Sequence, residues 1–364
     1  MLAVLLLAAP VRAADDIVIG QSAALTGPLG ELGLEAQRGA RLCLDQVNAQ
    51  GGVHGRRIRL LTLDDAYDAS RTEANVQRLV EQEQVLALLG VMGTPNNERV
   101  LPLVTAQRVP FVAPLTGATT IRQPHFDTVF HVRASYADEA RKIVQHLVTV
   151  GTTRVAVIRQ NSSFGRDVQD ALQAALARHR IEPVVVASIE NSADDAAAAA
   201  AAVMTSDANA VVLATAGKPT VEAIRAMNQH RRGLPQYALS VMGTRGSLKA
   251  LGADGVGVVV SQVMPFPWNA ATPLVREYQR AMAAQGVVEY SYLGLEGCLS
   301  ARVLVEGLRR AGPSPTREKL TAALAGMRQF EIAAHLLGFG AKAPFVASSY
   351  VELSIIGAGE RFRR

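Results

Sequence analysis

"RVAVIRQNSSFG", residues 154–165, decides the architecture, because it restarts a pattern the chain has already used once. An apolar run ends in a polar turn and passes into Val168, Ala171, Leu172, Ala175 and Leu176, the i, i+3, i+4, i+7 spacing of an amphipathic helix. The same order begins at Asp16, where Ile17 to Ile19 lead through "QSAALTGPLGELGLE", residues 21–35, into another helix-like stretch. Further β-branched runs at 58–63, 85–89, 109–112, 184–186, 210–213 and 256–260 alternate with helical periods, which predicts α/β lobes built on parallel sheets with crossover helices.

Between the two starts, "PLTGATTIRQPHFDTVFHVRASYADEA" breaks the rhythm with a turn, an extended run at 129–132 and a capping-box pattern, Ser135 to Asp138. It reads as the passage from one lobe to the other. The last third predicts helices at 273–284, 292–310 and 316–327 and a late strand at 350–356. Such a tail is too short for a third domain, so it packs back on both lobes and the chain crosses between them more than once. The alanines at 196–202 predict a plain exposed helix, since alanine is the strongest helix former.

The 364 residues suffice for two domains with their own cores, and 49% hydrophobic content excludes a disordered chain. The net charge of +5 is carried in part by clusters at Arg56, Arg57 and Arg59 and at Arg361, Arg363 and Arg364. No stacking aromatics are interleaved with them beyond Phe362, which argues against nucleic acid as a partner. Residues 1–13, MLAVLLLAAPVRA, read as a cleaved secretory signal, and the apolar run is too short to span a membrane. Cys43 and Cys298 lie far apart in helical patterns; an oxidising compartment leaves pairing open, but two buried free thiols are the expectation. The histidines form no metal-ligand spacing, Ser162 and Ser163 lack a G-x-S-x-G frame, and neither cysteine has a base beside it in sequence. No cofactor, metal or catalytic set is expected, and the chain does not read as an enzyme.

The glycines Gly27, Gly30 and Gly33 fail the dinucleotide fingerprint in spacing, and the acids Asp64 and Asp65 come too late for a ribose contact. They leave a flexible strand end at the mouth of a parallel sheet, where the chain would pass close beside a ligand. After the third strand, "GVMGTPNNERV" puts Thr94 at a helix cap and Pro95 at the first helical position, a place for a carboxylate or a capped helix and nothing more. The fourth strand ends similarly at Leu115, Thr116 and Gly117. In the second lobe Phe164 and Arg245 stand at strand–helix junctions, Phe164 reading equally as a ligand contact or as core and Arg245 by default as a solvated charge, and Tyr136 follows the crossing, on a turn that can face a cleft.

Taken together, "IVIGQSAALTGPLGELGLEAQRGARLCLDQVNAQGGVHGRRIRLLTLDD", "GVMGTP", "VPFVAPLTGA", "FHVRASYADEA", "VAVIRQNSSFGRD", "GVGVVVSQVMPFP" and "LEGCLSARVLVEGLRRAG" resemble, in order and over almost the whole chain, the branched-chain amino-acid-binding type of periplasmic solute receptor. The resemblance implies a type I periplasmic-binding fold, with lobe I at 14–133 plus 264–340 and lobe II at 134–263 plus 341–364. It implies a monomer in the periplasm that closes on an amino acid or related small carboxylate and delivers it to the permease and ATPase subunits of an ABC importer. A ligand sensor of the same fold is the alternative. By this likeness Thr94 and Leu115 to Gly117 hold the ligand carboxylate, Phe164 closes from the other lobe, and Leu32 is pocket wall; Tyr136, by its own place after the crossing, is expected to come over the ligand with Phe164. Arg245 departs from the family pattern: it falls near the place of a carboxylate that meets the ligand ammonium. A ligand without an amine is therefore expected, an aromatic or aliphatic carboxylate or a dicarboxylate gripped at both ends.

Overall fold

The computed structural model describes residues 15–230 and 233–364; the expected signal at 1–13 lies outside them. The first part of the chain runs β1 (Ile17–Ala23), α1 (Gly30–Ala49), β2 (Ile58–Asp64), α2 (Ala69–Glu81), β3 (Ala87–Leu89), α3 (Thr94–Ala106), β4 (Phe111–Val112) and β5 (Val129–His131). It then crosses to α4 (Tyr136–Thr149), β6 (Val155–Gln160), α5 (Ser163–Ala177), β7 (Val185–Ile189), α6 (Ala196–Met204), β8 (Ala210–Ala214), α7 (Lys218–His230), β9 (Gln236–Ala238), α8 (Arg245–Leu251) and β10 (Val259–Gln262). The tail holds α9 (Pro273–Ala284), α10 (Tyr292–Ala311), α11 (Arg317–Ala325), β11 (Phe330–Ile332), β12 (His335–Leu337), β13 (Phe345–Val346), β14 (Glu352–Gly357) and β15 (Arg361–Arg363).

Two sheets carry the lobes, in the orders β13-β5-β4-β3-β1-β2 and β15-β14-β10-β9-β8-β6-β7. The first is parallel throughout, and in the second only β14 runs against the other strands, antiparallel to both its neighbours β10 and β15. Helices cover both faces, so the inner strands are apolar on both sides; every residue of β8 is buried. Polar side chains start the helices: Ser135 closes a capping box with Asp138, and Ser162, Thr244 and, between α9 and α10, Ser291 each accept a backbone N–H three residues on.

Several expectations are corrected. Strand β13 pairs with β5, so the last crossing lies after residue 346 and not at the expected 340/341 boundary. The strands β9, β11, β12, β13 and β15, two or three residues each, are too short to leave a period in the sequence. Helix α6 is not simply exposed: Ala196, Ala199, Ala200 and Val203 are buried along one face, at the spacing of a helix packed on its neighbour. Cys43 and Cys298 are not free thiols but a disulfide joining α1 to α10, with Cα atoms 5.3 Å apart.

That crosslink sits in an unusually close helix pair. A Cβ on Gly39 would lie 1.8 Å from the Gly294 carbonyl oxygen, and one on Gly297 would lie 2.0 Å from that of Ala36. Backbone therefore touches backbone. Gly33 is used in the same way, since its Cβ would fall 1.9 Å from the Ala24 carbonyl oxygen. Packing of α1 on the end of β1 is what the opening glycine stretch requires.

Candidate functional site

Parallel sheets end in loops, and here the carboxyl ends of both sheets face each other. From the first lobe, Leu29 and Leu32 follow β1, Tyr67 follows β2, Met92 to Thr94 follow β3, Leu115 follows β4, and Leu293 comes from the start of α10. The second lobe supplies Tyr136 at the start of α4, Phe164 after β6, Ala216 after β8 and Val241 after β9. This is the position where open α/β sheets bind ligands, occupied twice. The conformation is closed: about 20 Å³ remains for the centre of a water-sized sphere, close to what one water needs. A mouth of about 190 Å³ adjoins it, between Leu32 and Glu31 on one side and Gly217 and Thr244 on the other.

The polar groups gather on one side. Thr94 is the first residue of α3 and not its cap; Gly93, with φ 96°, holds that place, which leaves the threonine hydroxyl free to meet Thr116 at 2.7 Å. The Tyr136 phenol faces the Thr116 side chain and the Gly117 backbone. Gly117 is required there because a Cβ would lie 2.6 Å from the Tyr136 nitrogen and 2.8 Å from its ring. Burial raises the pKa of both Tyr67 and Tyr136, against the opposing pull of Arg133 on the second, so both phenols keep their protons. The Tyr136 and Phe164 rings meet edge to face, 5.2 Å between centroids.

Beneath Tyr136 lies a buried ion cluster. The Arg133 guanidinium, 5.4 Å from the Tyr136 ring centre, pairs with Glu139 at 3.0 Å and Glu296 at 3.5 Å and donates to the Ser240 hydroxyl at 2.5 Å. Glu139 also accepts from the Ser240 backbone N–H and the Ser261 hydroxyl. Burial works against the Arg133 charge, but Glu296, Tyr136 and Glu139 outweigh it and hold its pKa above the ordinary arginine value. Burial raises the carboxyl of Glu296, with Arg133 opposing. The cluster ties the first crossing to α10 in one lobe and to α4, β9 and β10 in the other.

At the mouth, α1 reaches across the cleft. Glu31 accepts from the Thr244 hydroxyl at 2.8 Å and the Gly246 N–H at 2.5 Å, and Glu35 accepts from the Arg245 N–H at 3.0 Å. The structure thus brings together Leu32, Thr94, Leu115, Thr116, Gly117, Tyr136 and Phe164. Arg245 it does not: that side chain lies outside the pocket, half exposed and paired with Glu289, so it has no place beside a ligand ammonium.

Sequence reasoning missed Tyr67, Met92, Val241 and Leu293, whose apolar or aromatic character is ordinary in a core. It also missed Arg133 and Glu139, although an arginine at the end of an apolar strand, in "FHVRASYADEA", is a signal that something buried must answer it. Among the described residues no group of His, Cys, Asp or Glu could hold a metal ion, and no helix is long and apolar enough to cross a membrane.

The family profile described as "Periplasmic binding protein" matches residues 16–346. Among relatives, the Leu/Ile/Val-binding protein homolog 7 of Brucella suis is 25% identical over 322 residues, covering 84% of this chain and 80% of its own length. An amino acid binding protein of Pseudomonas aeruginosa is 24% identical over 270 residues, 68% of this chain and 72% of that protein. Among solved structures, a substrate-binding periplasmic protein from Ralstonia solanacearum is 31% identical with a TM-score of 0.88, covering 94% of this chain and 98% of that one. A possible leucine/isoleucine/valine-binding protein from Rhodopirellula baltica is 29% identical with a TM-score of 0.89, covering 98% of each chain.

Proposed function

This chain belongs to the periplasmic binding protein family, of the Leu/Ile/Val-binding type and the type I fold, a family of binding proteins and not of enzymes, and from that premise we propose that it is the periplasmic receptor of an ABC importer, closing its lobes on a small carboxylate. The observation that carries this reading is the pocket itself, walled by both lobes at the carboxyl ends of both sheets, with hydroxyl donors gathered on one side. With the lobes apart, a carboxylate docks on Thr94 and the end of β4; closure, stopping wider than the form in which about 20 Å³ remains, brings Tyr136 and Phe164 over it, excludes water and strengthens each hydrogen bond. Two or three charge-assisted bonds at about 1.5–3 kcal/mol each, with apolar burial, reach about −8 kcal/mol, a micromolar dissociation constant. The disulfide agrees with an oxidising compartment such as the periplasm. The protein works as a monomer whose closed form the permease subunits recognise.

The test is calorimetry and small-angle scattering on protein refolded free of carried ligand, titrated with aliphatic and aromatic carboxylates and branched-chain amino acids. Heat release together with a smaller radius of gyration is expected for at least one of them. Absence of heat with superimposable scattering curves across the panel refutes the reading.

A further inference from the structure

We propose that the pocket selects a monocarboxylate with an apolar or aromatic body and no α-ammonium group, an inference that rests on the binding reading above. An ammonium carried into a closed apolar pocket loses its water, and that loss is tolerated only where a carboxylate answers it. None of the twelve residues lining this pocket is acidic.

The acids around the pocket are engaged elsewhere. At the adjoining mouth, Glu222 pairs with Arg225 at 3.0 Å and Glu31, together with Glu35, serves the start of α8. Asp65 accepts from the Ser22 hydroxyl and the Tyr67 N–H. Asp167 accepts from the Thr119 N–H and hydroxyl, and Glu139 and Glu296 answer Arg133. Glu35 and Asp167 each keep one buried oxygen without a partner, but neither residue lines the pocket. Behind Tyr136, Arg122 and Arg133 stand against Glu139 and Glu296, which leaves no excess negative charge to favour a cation.

What the pocket offers instead are protonated donors, the Thr94 hydroxyl and the phenols of Tyr67 and Tyr136, around walls of Leu29, Leu32, Met92, Leu115, Phe164 and Leu293. Hydroxyls donate to a carboxylate; they cannot neutralise an ammonium. The chemistry on the walls is that of an acid with a greasy tail.

Matched pairs differing only in the amine test this by calorimetry on the full protein freed of carried ligand: leucine against 4-methylpentanoate, and phenylalanine against 3-phenylpropanoate. The deaminated acid is expected to bind at least tenfold more tightly than its amino acid in whichever pair fits the pocket. Equal or tighter binding of the amino acid overturns the inference while leaving the receptor reading intact. Silence from all four compounds overturns the inference, and silence from the whole carboxylate panel as well takes the receptor reading with it.

Discussion

Removing the Cys43–Cys298 bond should destabilise one lobe and spare the other. The two cysteines are 255 positions apart, and both belong to the lobe I helices α1 and α10, so the closed loop contains lobe II from α4 to β10 as an insertion, with only β14 and β15 of that lobe outside it. For a loop of that length the chain-entropy relation gives about 5.5 kcal/mol at 25 °C, while measured removals of native disulfides fall at about 2–5 kcal/mol. The glycine-mediated contact of α1 with α10 persists without the bond, which argues for the lower half of that span. Lobe I holds about 200 residues, for which 1 kcal/mol corresponds to about 2–4 °C, so its melting midpoint should fall by about 10 °C. The assay compares wild type, wild type refolded in reductant and Cys43→Ala/Cys298→Ala by calorimetry, with hydrogen exchange followed segment by segment. Protection should drop in α1, α10 and the β1–β3 strands, and hold in β6 and β8. A fall confined to lobe II, or a shift below about 2 °C in both altered forms, would refute the reasoning, because the crosslink would then not be restraining the helix pair that carries it.

Arg133→Met leaves Glu139 and Glu296 buried without their cation and should cost about 3–5 kcal/mol in urea unfolding, much of it recovered when Glu139→Gln and Glu296→Gln are added. Thr94→Ala removes a buried hydroxyl and its 2.7 Å bond to Thr116; ligand affinity should fall about tenfold while stability changes by no more than about 1.5 kcal/mol, and unchanged affinity moves the site elsewhere. Closure should depend on pH through Glu35. Burial, aided by the charge of Glu31 and opposed by hydrogen bonds from Arg245 and Ser291, raises its carboxyl from 4.5 to about 7. The packed group therefore keeps a proton that the solvated group releases, so its contribution to closure is complete below pH 4.5 and is lost as the pH rises through 7. Scattering at pH 5 and pH 8 should show the more compact form in acid, and Glu35→Gln should flatten that difference, with Glu31, Arg245 and Tyr278 still facing the position.

Much of this protein is written in local pattern. The restart at residue 154, the Ser135 capping box and the amphipathic helices follow from periodicity and turn chemistry, which involve residues a few positions apart, and those features stand in the structure as the sequence implies. The strand ends that build the cleft were legible for the same reason, since loops after parallel strands must gather at one edge of a sheet. Folding in three dimensions decided the rest. Whether Cys43 meets Cys298, whether Arg133 finds Glu296 and whether Arg245 faces a ligand or Glu289 are questions about residues from 44 to 255 positions apart. Their answers depend on how tightly glycine lets two helices approach and on how the lobes lie when closed, and neither quantity leaves a mark on neighbouring residues of the chain.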